Sequence, residues 1–301
     1  MEYKYYTTDI FTDKPFHGAQ VPVFPRSEGL SDEQMQNIAN ELNTANTVFV
    51  SPDPDDSTKY QLRSFTPVKE VSLATHTSFA AAHVIVSSGA CALSDKHLAL
   101  DFNDDIEIYV SNDNGRPGVM QQSIKTHAAV DRFTPPLEEL AGMLGLAPAD
   151  IGFDHFEPLI LSCGAPYLVV PIKSFRAIQT ARFDFQAWSR STAPSSLAQE
   201  VLLFSNNTDP TTADFHIRLF GPDIASHEDP PVAATIPAFA NYLCAHKSIQ
   251  MGTHIFSVER GHMGSRQSIL NVEMDNKRSA DLTVRVGGRA VLMSESVMQL
   301  A

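Results

Sequence analysis

The chain has 301 residues, 43% of them hydrophobic and 19% charged, with a formal net charge of -13 at pH 7. That composition can bury a sizeable core and excludes a disordered chain, while the acidic balance without a long basic cluster excludes nucleic acid and anionic membrane surfaces as partners. No apolar run approaches the roughly 18 residues of a membrane span, and Met1-Glu2-Tyr3-Lys4-Tyr5-Tyr6 lacks a secretory pattern, which predicts a cytoplasmic protein.

Residues 2–11 alternate as a strand, and Asp13-Lys14-Pro15-Phe16-His17-Gly18 is turn chemistry. Ser31 and Gln34 stand at capping-box spacing, and Met35, Ile38, Ala39 and Leu42 fall on one face, which predicts a helix from Asp32 to Leu42. A β-branched strand, Thr47–Val50, follows, with Asn46 at the junction. The polar turn 52–56 leads to a strand ending at Pro67. Leu98–Phe102 and Ile106–Val110 form a strand pair, and 112–118 is turn-rich. The length suits two domains of roughly 150 residues; the boundary is placed near 126, giving domains 1–126 and 127–301, with the last strand free to return to the first. The second half opens with a helix over 136–146, then strands at 158–162 and 167–172, a small and polar surface loop over 188–198, strands at 199–204 and 214–220, and three or four closing strands between 253 and 293.

One motif is written twice. Arg63-Ser64-Phe65-Thr66-Pro67 precedes a loop to His76 and the run Ser78-Phe79-Ala80-Ala81-Ala82-His83-Val84-Ile85; Arg218-Leu219-Phe220-Gly221-Pro222 precedes a loop to Glu228-Asp229 and the run Ala233–Leu243. Each copy reads as a strand stopped at proline, an ionisable loop and an alanine-rich helix. A helix start carries partial positive charge and backbone N–H groups without intrahelical partners. Two such starts facing each other would hold a small anionic substrate between two acid/base groups. Strands outnumber helices, and each half has one principal helix that a sheet must wrap to bury it, an α+β architecture.

With these residues in view, the chain resembles the PhzF-like, or phenazine-biosynthesis-like, family, which shares its fold with diaminopimelate epimerase and the cofactor-independent proline racemases. The resemblance runs nearly end to end: Asp9–Gly18, Leu30–Val50, Arg63 through His76, Ser162-Cys163-Gly164-Ala165-Pro166-Tyr167, Glu228-Asp229-Pro230, Glu259-Arg260-Gly261-His262-Met263-Gly264 and Val286-Gly287-Gly288-Arg289-Ala290-Val291. It implies two pseudo-symmetric domains, each a sheet curled around a central helix, an active site in the cleft between them, no metal or organic cofactor, and a homodimer. The activity it implies is isomerisation, in which a glutamate moves a proton between carbons of a carboxylated ring.

The site motifs depart from that pattern. The glutamate position is Asn46, which cannot exchange a proton near neutral pH. The family's Gly-Asn-Pro is Gly18-Ala19-Gln20, its Gly-His is Thr75-His76, and its Asp-Pro-Ala-Thr-Gly-Ser-Ala is Asp229-Pro230-Pro231-Val232-Ala233-Ala234-Thr235. The catalytic candidates are therefore His76, an imidazole able to exchange protons near pH 7, and Asp229, able to orient it or stabilise its charged form. The bland alternative makes both of them helix caps. Substrate-binding candidates are Asn46 with Ala45, Thr75 and Thr77, and Ala233, Ala234 and Thr235 in the second copy. Cys91, Cys163 and Cys244, widely spaced with no C-x-x-C, are read as reduced thiols, and Cys163 as buried sulfur rather than a nucleophile. His227-Glu228-Asp229 lacks metal-site spacing.

The leading expectation is a cofactor-independent isomerase acting on a small, carboxylated cyclic metabolite. A reassigned lyase or ring-rearranging enzyme is an alternative, as is a homodimeric binding or scaffold protein that has lost catalysis, motivated by Asn46, Ala233 and Ala234. A racemase ranks third, because neither helix start carries cysteine.

Overall fold

The computed structural model describes residues 1–300 apart from 57, 94–95, 104–105, 207, 209–212, 223, 225–230, 247–250, 262–265 and 278–280. The chain divides into two compact units, Met1–Ser123 with Val286–Ala301, and Ile124–Arg285.

In chain order the first part carries β1 (Glu2–Ile10), β2 (Ala19–Phe24), α1 (Asp32–Leu42), β3 (Thr47–Pro52), β4 (Tyr60–Phe65), β5 (Glu70–Val71), α2 (Thr75–Ser87), β6 (His97–Phe102), β7 (Ile106–Asp113) and β8 (Arg116–Thr126). Then come β9 (Ala129–Asp131), α3 (Leu137–Leu144), β10 (Leu159–Cys163), β11 (Ala165–Pro171), α4 (Phe175–Thr180), α5 (Phe185–Arg190), β12 (Glu200–Ser205), β13 (Phe215–Phe220), α6 (Ile236–Ala245), β14 (Gly252–Arg260), β15 (Ser268–Asn276), β16 (Leu282–Gly288) and β17 (Ala290–Gln299).

The two units repeat one pairing scheme. In the first, β17 pairs antiparallel with β1, β1 antiparallel with β2, β2 parallel with β3, β3 antiparallel with β4, β4 parallel with β6 and β6 antiparallel with β7. In the second, the same run of directions joins β9, β10, β11, β12, β13, β14 and β15. The repeated Arg-x-Phe falls on the same strand of each run, β4 and β13. Residues i and i+2 of a strand share a face, so the Arg63 guanidinium lies 5.1 Å from the Phe65 ring and that of Arg218 4.6 Å from the Phe220 ring.

Each unit buries a central helix. In α2 every residue from Thr75 to Val86 is buried, and the helix packs against β1, β2, β3, β4, β7 and β17. Four of its polar residues, Thr75 to Ser78, open the helix, His83 lies further along it, and alanines at 80–82 let the strands approach closely. In the second unit α6 buries Ile236–Ala240, Tyr242 and Leu243, packs on β10 and β11, and joins an aromatic cluster with Phe204, Phe215 and Phe256.

Further helices cover the sheets from outside. Ser31 caps α1 by accepting from the Gln34 backbone N–H, while the Gln34 side chain accepts from the Ser31 N–H. The buried face, Met35, Ile38 and Ala39, packs against Phe24, Phe49 and Phe65, each fully buried large side chain contributing about 1.5–3 kcal/mol. In the second unit α3, α4 and α5 form a comparable layer.

Three expectations are corrected. Residues 188–198 are a surface loop only in part: Trp188 belongs to α5, and it, Ala193 and Ala198 are core residues of the second unit, while Ser189, Arg190, Thr192, Pro194, Ser195 and Leu197 are exposed. The small, polar composition conceals three covered positions, a tryptophan and two alanines, among residues that are mostly exposed. In the stretch 112–118 only Asn114 and Gly115 form the turn, the rest belonging to β7 and β8, and β8 is not expected from the sequence. The strand at 19–24 is not expected either; it contains Pro22, and its observed pairing to β3 starts at Val23, beyond the residue that lacks an N–H.

Candidate active site

The sequence of α2 begins with polar residues, and the helix starts without a side-chain cap from Ala74. Thr77 supplies one instead, because its Oγ1 accepts from the Ala74 N–H at 3.0 Å and donates to the Ala74 carbonyl at 2.7 Å. Thr75 is buried and opens the helix; His76 follows and is 5% exposed. The expected helix-start histidine is thus inside the first turn rather than on the preceding loop.

Asn46 stands directly before β3, half-buried, its own carbonyl accepting from Thr44 Oγ1 at 3.1 Å. Its amide bridges two side chains. Oδ1 lies 2.9 Å from His76 Nε2, and Nδ2 donates to Ser64 Oγ at 3.3 Å. Antiparallel pairing of β3 with β4 sets Ser64 opposite Val48, which brings the hydroxyl within reach of the residue just ahead of β3. Of the predicted first-copy residues, the structure joins His76 and Asn46 by a hydrogen bond and puts Thr75 and Thr77 in the same turn, whereas the Ala45 side chain is exposed.

Ser64 is a site member that its place in the sequence does not single out. The available signal is period-2 alternation: Ser64 shares a strand face with Leu62, and a hydroxyl at a core-facing position asks for a partner. It is 1% exposed.

In the second unit Ala233, Ala234 and Thr235 form a 3-10 turn that runs into α6, with Ala233 and Thr235 fully buried and Thr235 Oγ1 donating to the Val232 carbonyl at 2.7 Å. Asp229, with His227, Glu228 and Pro230, lies outside the described residues. Cys163 is half-buried beside Asn241, whose Nδ2 is 3.6 Å from the sulfur, and burial pushes the thiol above its ordinary range, which disfavours a thiolate. All three cysteines are free thiols.

One further histidine lies on α2. His83 follows His76 by seven residues, two turns on and close to the same face. It is 5% exposed, and burial lowers its pKa to about 4, so it stays neutral at neutral pH. Chemically, the first turn of α2 offers an imidazole hydrogen-bonded to an uncharged amide, beside the partial positive charge of a helix start. That set can accept and return a proton at carbon.

A family model described as phenazine biosynthesis-like protein matches residues 8–296. An uncharacterized isomerase of Mesorhizobium japonicum is 26% identical over 293 residues, covering 97% of this chain and 97% of its own. Among solved structures, a PhzF-family phenazine biosynthesis protein of Bacillus anthracis matches with a TM-score of 0.84 at 20% identity, over 100% of both chains. A hydroxyproline epimerase of Agrobacterium vitis, solved with bound trans-4-hydroxy-L-proline, matches with a TM-score of 0.62 at 9% identity, over 99% of this chain and 91% of its own. The α+β fold is of the diaminopimelate epimerase-like kind.

Proposed function

The chain belongs to the phenazine biosynthesis-like protein family and is an isomerase-type enzyme; from that premise we propose that it moves a proton between carbons of a small, carboxylated cyclic metabolite, with His76 as the residue that carries the proton. The observation behind this reading is the 2.9 Å contact between His76 Nε2 and Asn46 Oδ1 in the buried first turn of α2. In the proposed reaction a C–H bond breaks and an N–H bond forms on His76. The proton then returns to a different carbon, or to the other face of the same one, so no oxidant, reductant or cofactor is consumed. The substrate carboxylate is placed at the start of α2, where backbone N–H groups and the helix dipole favour an anion. Asp229 is the second proposed catalytic residue, and a homodimer the proposed assembly.

A second reading is a binding or scaffold protein without turnover. It is favoured by Asn46, since an amide cannot exchange protons where the resembling family places its glutamate. The two readings separate by deuterium incorporation from D2O into a panel of cyclic carboxylates, comparing wild type with His76→Ala. Incorporation lost in the variant supports His76 as proton carrier, incorporation unchanged in the variant removes it, and no incorporation by wild type across the panel favours the scaffold.

A further inference from the structure

We propose that the Thr75 hydroxyl is a substrate-binding group that, together with the Thr75 backbone N–H, grips the carboxylate of the metabolite at the start of α2. This deepens the reading of the substrate as a carboxylated metabolite and rests on that part of it; it does not rest on His76 as the proton carrier.

A hydroxyl removed from water needs a hydrogen-bond partner, and leaving it without one costs free energy. Among the described residues, the other buried serines and threonines all have one. Thr8, Ser27 and Thr235 donate to backbone carbonyls. Thr47, Ser64, Thr126 and Ser268 meet side chains, and Ser205 too has a partner. In the first turn of α2, Thr77 and Ser78 both donate to the Ala74 carbonyl, at 2.7 and 3.3 Å. Thr75 is the exception. It is 5% exposed, yet neither its Oγ1 nor its N–H hydrogen-bonds any described residue.

The acceptor that the turn itself offers is occupied. The Ala74 carbonyl takes the N–H groups of Thr77 and Ser78 at 3.0 and 3.1 Å as well as their hydroxyls. The Cα–Cβ bonds of a helix tilt towards its N-terminus, so the side chain of the first helical residue stands over the open end. That is where first-turn N–H groups point and partial positive charge collects. A hydroxyl can donate or accept, so it does not by itself select an acid. The N–H beside it only donates, and the helix end favours a negative charge; a carboxylate, with two accepting oxygens, suits both. His76 is the next residue, so an acid held by Thr75 presents its carbon skeleton to the same turn as the imidazole.

The uncommitted hydroxyl slightly weakens the ligand-free protein, and a bound ligand removes that cost. Replacing it by a methyl group of the same shape should therefore harm binding without harming stability.

The test uses the full-length protein, with acetate and benzoate as probe acids and benzamide as an uncharged counterpart, followed by backbone amide NMR shifts and by calorimetry without turnover. Wild type should bind both acids, benzoate more tightly than benzamide, with the Thr75 amide among the most shifted. Thr75→Val should raise the benzoate Kd about tenfold, as expected for a lost hydrogen bond to a charged group. Thr75→Ser, which keeps the hydroxyl, should stay within about threefold of wild type. In urea, ligand-free Thr75→Val should unfold at a midpoint no lower than wild type. The proposal is overturned by a wild type that binds neither acid, by benzamide binding as tightly as benzoate, or by an unchanged benzoate Kd in a Thr75→Val protein whose amide spectrum shows it folded. A Thr75→Val midpoint below wild type also overturns it, because the hydroxyl would then be bonded within the protein. Deuterium incorporation lost or kept in His76→Ala changes none of these outcomes, so this proposal and the proton-carrier reading fail separately.

Discussion

Replacing His83 by leucine should remove a specific part of the protein's sensitivity to acid. The wild-type imidazole is 5% exposed inside α2, and burial holds its pKa at about 4 against an ordinary 6.5. In the unfolded chain the same ring takes its proton as pH falls through 6.5; in the folded chain it resists until about 4. Between those values the unfolded state binds more protons, so stability rises with pH across the window and is lost on acidification. A gap of roughly 2.5 pH units at about 1.4 kcal/mol each amounts to about 3 kcal/mol lost between pH 6.5 and 4, as an order of magnitude. The assay is urea unfolding of wild type and His83→Leu at pH 7, 6, 5 and 4.5. Carboxylates titrate alike in both proteins and cancel in the difference, as does any fixed packing change from the leucine. The free-energy difference, variant minus wild type, should climb in the variant's favour by about 2 kcal/mol over that range. Parallel pH curves would refute the reasoning, because they would mean that His83 titrates normally in the native state.

Gly18 has φ +70, and an added Cβ would meet the Ile10 carbonyl oxygen and come within 2.8 Å of Thr12 Cγ2; Gly18→Ala should lower stability by at least about 2 kcal/mol in the same unfolding assay. The two motif arginines should differ. Arg218 donates to the carbonyls of Ile178, Gln179 and Ala181 from a buried position, and Arg218→Met should cost about 2–3 kcal/mol. Arg63 pairs with Glu70 and Asp32 near solvent, so Arg63→Met should cost only about 1 kcal/mol, and that small loss should shrink in high salt; equal costs would sink the distinction. Ser31→Ala removes the α1 cap and should cost about 1 kcal/mol, while Ser31→Asn, which keeps a cap, should restore most of it.

The sequence is most legible where one local rule decides the outcome. The edges of α1 follow to the residue from Ser31, Gln34 and a single apolar face. The repeated Arg-x-Phe is visible as a pattern, and its physical content, a guanidinium over a ring on equivalent strands, emerges only with side-chain positions. Strands are lost where local chemistry argues one way and pairing another, as at Pro22. The 188–198 segment is misleading because composition does not reveal which small residues are covered. In the site, His76 and Asn46 carry signals in their own types and spacing. Ser64 does not, since its role depends on a strand register that joins residues 46 and 64 across an intervening turn.

The first unit is made of two separated stretches of chain, whereas Ile124–Arg285 is a single one. On a ribosome the later-made unit would possess all its own residues first, and the earlier-made one would wait for the closing stretch Val286–Ala301. Until β17 arrives, β1 keeps an open edge able to recruit a foreign strand. Nascent chains stalled before residue 286 should accordingly be the ones that need a chaperone.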